Sequence, residues 1–151
     1  MLVQLLNRTD PERVQIQIKN VDGGGSITTG LGAMFPSAGA SIDGISSLKA
    51  TGAGVKGFIG VATQDIAING YGLVTAWGYV NSVQISNVGT SITITAGDTL
   101  IPGAVAGTFF SVVTAQAMST LLYKYVYAAT TVPVDISNLN QSFVAGIVRA
   151  L

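Results

Sequence analysis

The side chains that most often do chemistry near neutral pH are missing from this chain: of its 151 residues, none is histidine and none is cysteine. Without imidazole there is no Ser-His-Asp or Cys-His relay and no imidazole metal site. Without thiols there are no disulfides and no thiolate metal sites. Carboxylates, hydroxyls and lysines remain. Asp43, Asp65 and Asp98 stand alone among turn-forming residues, where a carboxylate ordinarily accepts hydrogen bonds from nearby backbone N–H groups. Brought together by the fold, two of them would be material for general acid/base work. Ser46, Ser47 and Lys49 have the composition of a Ser-Lys dyad but read as solvated loop. Gly52-Ala53-Gly54-Val55-Lys56-Gly57 matches G-x-G-x-x-G literally. The dinucleotide fingerprint needs a strand before it, a helix after it and an acidic residue about twenty positions on. Here a Gly/Ala/Ser loop precedes it and Phe58-Ile59-Gly60-Val61, a strand pattern, follows. The expectation is a non-enzymatic chain with no cofactor and no metal.

Composition points the same way. The chain is long enough for one domain with a real core. Hydrophobic content is 48%, but only 9% of residues are charged, against the usual quarter. Seven basic and seven acidic residues cancel, so no electrostatic footprint for nucleic acid or an anionic membrane is expected. So few surface charges suit a protein that buries surface in an assembly, or one coated with Ser, Thr, Asn and Gly. The start, MLVQLLNRTDPER, lacks the pattern of a secretory signal. Thr99 to Tyr123 is uncharged over a span that could cross a bilayer, yet Pro102, Gly103, Gly107 and Gln116 interrupt it, and no membrane partner is expected.

The elements that would position any site are strands. Val14-Gln15-Ile16-Gln17-Ile18-Lys19 alternates, with Val14, Ile16 and Ile18 inward. Phe58 to Ala62 is a compact strand, Asn69-Gly70 a hairpin signal, and Ile92 and Ile94 alternate with hydroxyl residues before the turn at Gly97-Asp98. Tyr71 to Val80 alternates by size: Tyr71, Leu73, Thr75, Trp77 and Tyr79 on one face, Gly72, Val74, Ala76, Gly78 and Val80 on the other. Such a strand is buried on both sides. The large face, centred on Trp77, is expected to fill the core, and the small face to meet a second sheet or a neighbouring subunit; Gly72, Trp77, Gly78 and Tyr79 are the candidate packing residues. Tyr123, Tyr125 and Tyr127 share a strand face suited to packing or to an interface. Thr114 to Leu122 is the one short helix candidate, and Phe143 to Arg149 reads as a terminal strand. Closely spaced turns predict an all-β fold, a small compact β-barrel or β-sandwich with Gly/Ser-rich loops and at most one short helix. Residues 1–22 form an extended amino-terminal segment and 23–151 a single β domain.

Gly60-Val61-Ala62 followed by Asp65-Ile66, Tyr71-Gly72, Trp77-Gly78, Gly97-Asp98-x-Leu100 and Gly103 resembles the small capsid decoration (cement) proteins of tailed bacteriophages, over roughly Asn20 to Leu151. The resemblance lies in structural glycines and apolar positions, not in a catalytic signature. It implies compact β subunits, often homotrimers. They are made in the host bacterial cytoplasm and seated on the outer capsid surface of the virion, where they bind the major capsid protein and clamp neighbouring capsomers against internal DNA pressure. In that setting residues 2–19 could add a strand to an exposed edge of the capsid protein, with Leu2, Val14, Ile16 and Ile18 as contacts; equally, they could be the first strand of the subunit's own barrel. The alternative function is a trimeric fibre-head or receptor-binding module, although the chain has no repetitive shaft or coiled-coil stem.

Overall fold

Short runs of alternating apolar and small residues, punctuated by Gly, Asn and Asp, make strands with tight connections. The structure, a computed structural model, describes residues 13–36, 44–51, 57–85, 92–103, 106–111, 125–134 and 142–150. The strands are β1 (Val14–Asn20), β2 (Gly32–Met34), β3 (Ser46–Lys49), β4 (Phe58–Ala62), β5 (Tyr71–Ile85), β6 (Ile92–Ile94), β7 (Thr99–Pro102), β8 (Phe109–Ser111), β9 (Tyr125–Ala128), β10 (Val132–Val134) and β11 (Ser142–Arg149). The fold is all-β, as the turn spacing predicts, with no α-helix among the described residues. No described helix is long and apolar enough to cross a membrane. The helix expected at 114–122, together with Leu2, Asp43, Tyr123 and most of the G-x-G-x-x-G run, lies outside the described residues.

Nine strands form one sheet in the order β1-β3-β2-β4-β5-β11-β9-β7-β8. β1 runs antiparallel along the first half of β5, from Lys19 opposite Tyr71 to Val14 opposite Trp77, and parallel to β3. The circuit β1-β3-β2-β4-β5 is therefore a closed five-stranded barrel. The second half of β5 turns to β11, with Arg149 opposite Trp77 and Ser142 opposite Ile85. β9, β7 and β8 continue from there, and β8 returns to β5 where Phe109 meets Ile85. β5 thus serves both circuits. It changes partners at Trp77 and Gly78, and Gly78 has φ +106°, a conformation that side chains with a Cβ rarely adopt.

Two cores lie on opposite sides of a shared wall. Ile18, Ile27, Ile59, Ile66 and Val74 belong to the barrel interior. Phe58, Val61, Val83, Phe109 and Val126 belong to the second core, where Phe58 and Phe109 meet edge to face with ring centroids 5.7 Å apart. All five residues of β4 are buried because its successive side chains feed different cores, the signature of a strand covered on both faces. Gly60 lets β4 close on β5, since a Cβ there would strike the Thr75 carbonyl.

The expected orientation of Tyr71–Val80 is reversed. Tyr71 is 59% and Leu73 37% exposed, and Trp77 and Tyr79 are half-buried, whereas Gly72, Val74, Ala76, Gly78 and Val80 are all buried. Curvature explains this. The narrow interior of the five-stranded barrel is already filled by Ile18, Ile27, Ile59 and Ile66, so the concave face of β5 must be small and its bulky residues splay outward. At Gly72 the fit is so close that a Cβ would lie 2.5 Å from Ile66 Cγ1. Thr75 is the exception, fully buried where the second core covers the barrel wall, with its Oγ1 lacking a partner. On β1, Val14 lies opposite Trp77 on the outer face at 40% exposure, Ile16 lies opposite buried Val74 on the inner face yet stays 36% exposed, and Ile18 is core at 1%. Ile18 therefore cannot be a surface contact in this fold.

Two local readings also change. Ser46–Lys49 is strand β3, not loop: Lys49 N–H donates to Asp22 Oδ2, and Ser47 Oγ to the Lys19 carbonyl. β4 and β5 do pair as the antiparallel hairpin that the turn signal predicts, but Asn69-Gly70 is not a two-residue loop between them. It ends the eight-residue connection from β4 to β5, where Gly70 N–H donates to the Ala67 carbonyl and Asn69 adopts φ 61°. Asn69 N–H then donates to the Asn20 carbonyl, and Asn20 N–H to the Gly70 carbonyl. The turn so clamps the end of β1, which is why the left-handed Asn is needed there.

Candidate interaction face

The bulky residues that curvature expels from the barrel gather where β5 changes partners. Trp77 is flanked by Val14 on β1 and Arg149 on β11. The Arg149 guanidinium lies over the indole, 5.0 Å from its ring centroid, a cation–π stack that holds both side chains in place. Tyr79 stands opposite Ile147, and Ile147 opposite Tyr127 on β9. Ile147 is 45% exposed. Further along β5, Lys19 Nζ sits 5.9 Å from the Tyr71 ring centroid. Tryptophan, tyrosine and arginine at the centre with aliphatic neighbours are the residue types that carry most binding energy at protein interfaces.

Beside this face is a cleft of about 180 Å³ lined by Arg13, Thr29, Thr63, Asn81 and Ser82 with apolar Ala62 and Val80. Arg13 immediately precedes Val14, the residue opposite Trp77, so the rim of the cleft lies one residue along β1 from the face. Thr63 Oγ1 donates to the Leu73 carbonyl and accepts from Gln15 Nε2. Thr29 donates both its N–H and its hydroxyl to Asp65 Oδ1. These two bonds hold the Asp65 carboxyl below the usual carboxylate range, the backbone bond contributing most.

Of the carboxylates weighed for catalysis, Asp43 lies outside the described residues and Asp65 and Asp98 accept backbone N–H bonds, as Asp22 also does. Asp65 ties Thr29 to the β4–β5 connection, Asp98 Oδ2 accepts from Thr95 N–H, and Asp22 accepts from Gly24 N–H and Lys49 N–H. Among the described residues, no three His, Cys, Asp or Glu gather as a metal site.

Of the residues singled out from sequence, the structure brings Val14, Trp77 and Tyr79 together on one face. It places Gly72, Gly78 and Ile18 in buried positions, leaves Ile16 exposed on β1, and does not describe Leu2. Sequence reasoning missed Arg149, Ile147, Arg13, Asn81 and Ser82. One signal was available: Arg149 is the lone charge at the end of the apolar run Phe143 to Val148, and an isolated charge closing a buried strand has to emerge beside something. Comparison with protein-family models, with curated proteins and with solved structures finds no match to this chain.

Proposed function

We propose that this chain is a non-enzymatic structural virion protein that binds the outer capsid surface of a tailed bacteriophage and cements neighbouring capsomers, several copies acting together as a homotrimer. The observation that supports an assembly role most directly is the Trp77–Arg149–Tyr79–Ile147 face, presented on a closed β scaffold whose described carboxylates accept backbone N–H bonds. The resemblance in glycine and apolar positions supports the capsid setting. Curvature and closure fix the face in place before any partner arrives, so little ordering cost attends binding. Symmetry-related copies would add weak contacts into a firm hold.

Purified protein incubated with capsids that lack it should bind saturably and raise the temperature at which they release DNA. Capsids that neither retain the protein nor gain heat resistance would contradict the proposal. Deleting residues 1–10 should weaken that binding while leaving the melting temperature of the free protein within a few degrees, because β1 pairing begins at Val14. Unchanged capsid binding after the deletion would remove the amino-terminal segment from the contact.

A further inference from the structure

We infer that the Trp77 face and the cleft beside it dock a partner protein surface that presents a carboxylate side chain among apolar ones. The inference concerns the chemistry of the partner and holds whichever protein supplies it. Three residues with hydrogen-bond donors line the cleft without a side-chain partner among the described residues: exposed Arg13, exposed Asn81 and half-buried Ser82. A guanidinium with amide and hydroxyl donors beside it is the donor set a carboxylate accepts best. Arg149 adds a second cation on the adjoining face. Stacking on Trp77 occupies its flat surface and leaves its in-plane N–H groups to bind a carboxylate.

Charge complementarity selects the occupant. The described carboxylates Asp22, Asp65 and Asp98 each accept backbone N–H bonds from this chain, Asp22 and Asp98 from their own turns and Asp22 and Asp65 also from distant segments at Lys49 and Thr29. The one bonded to a cleft residue, Asp65, takes both donors of Thr29. Arg13 and Arg149 thus present positive charge beside exposed apolar and aromatic side chains, among them Val14, Ile147 and Tyr71. A nucleic acid would need a continuous basic track following its backbone, whereas Arg13, Lys19 and Arg149 are separate cations, Lys19 and Arg149 each lying over an aromatic ring. An acidic-and-apolar protein surface answers both parts.

Trp77 is the only tryptophan in the chain, so its fluorescence reports this face directly. The full-length protein is titrated with a short capped peptide of alternating glutamate and valine, with the glutamine–valine counterpart, and with oligothymidylate. The expected result is a saturable change in Trp77 emission with the glutamate peptide alone, weakened by salt. Arg13→Gln or Arg149→Gln should each weaken it about tenfold, the scale of one lost charge-assisted hydrogen bond. Both side chains are exposed, so the variants should melt with the wild type; should either melt early, the peptide pair and the salt series on the wild type decide. No saturable change, an equal response to the glutamine peptide, or saturation by oligothymidylate would overturn the inference.

Discussion

At the scale of single residues, burial and backbone conformation set the expected effects. Trp77 is half-buried on a convex face, so Trp77→Ala should cost about 1–2 kcal/mol in urea unfolding, well short of the ~3–5 kcal/mol of a fully buried aromatic. A loss in the larger range would mean that Trp77 is a core residue after all. Phe109, fully buried against Phe58, is where the larger figure belongs: Phe109→Ala should cost about 3–5 kcal/mol. Gly78→Ala forces a Cβ into φ +106° and should cost about 1–3 kcal/mol without removing any contact. Asp65 gives a pH prediction. Its carboxyl is depressed in the folded state by Thr29, so its contribution is present above the unfolded carboxylate pKa and is lost as pH falls through the folded value. Melting temperatures taken from pH 5 down to pH 2 should fall less steeply for Asp65→Asn than for the wild type; parallel curves would show that the Thr29 contact does not bear on stability.

At the scale of elements, β5 is the member on which the others depend, since it pairs with β1, β4, β8 and β11. The two cores lie on opposite sides of one wall, with Val61 and Ala62 on the same strand facing different ones. The physical consequence is one cooperative unit. Ile66→Ala in the barrel and Val126→Ala in the second core should both shift a single unfolding transition, seen at the same urea concentration by Trp77 fluorescence and by far-UV circular dichroism. Two separated transitions would show that the halves fold independently. Much of this architecture is legible in the sequence. The alternation at Val14–Lys19, the apolar run Phe58–Ala62 and the terminal run ending at Arg149 each become the strand they suggest. The expected burial of Tyr71–Val80 on both faces holds only at Val74, Thr75 and Ala76, the large face being exposed at Tyr71 and Leu73 and half-buried at Trp77 and Tyr79. The direction of the faces is not legible, because alternation by size records that two faces differ and not which way the sheet curves. Curvature arises from closure between β1 and β5, residues more than fifty positions apart, and no local pattern encodes that. β3 escapes for a related reason: Ser46-Ser47-Leu48-Lys49 has little strand character of its own, and Asp22 and Lys19 supply its hydrogen bonds from elsewhere.

At the scale of the whole molecule, scarcity of charge and absence of histidine and cysteine direct attention to surfaces rather than pockets. The candidate site was partly legible: Trp77 and Tyr79 stood out in sequence, but as core. Arg149, on the carboxyl-terminal strand, joins them only through the β5–β11 pairing. Once the large face is turned outward, the same residues form an aromatic and basic patch on the described exterior, and Ile18 is buried. The measurement that tests the account most directly is heating of capsids lacking this protein, with and without a saturating amount of it added back. The account predicts that the protein is retained on the capsids and that DNA release moves to higher temperature. Release at an unchanged temperature, or failure of the protein to stay on the capsids, would contradict it.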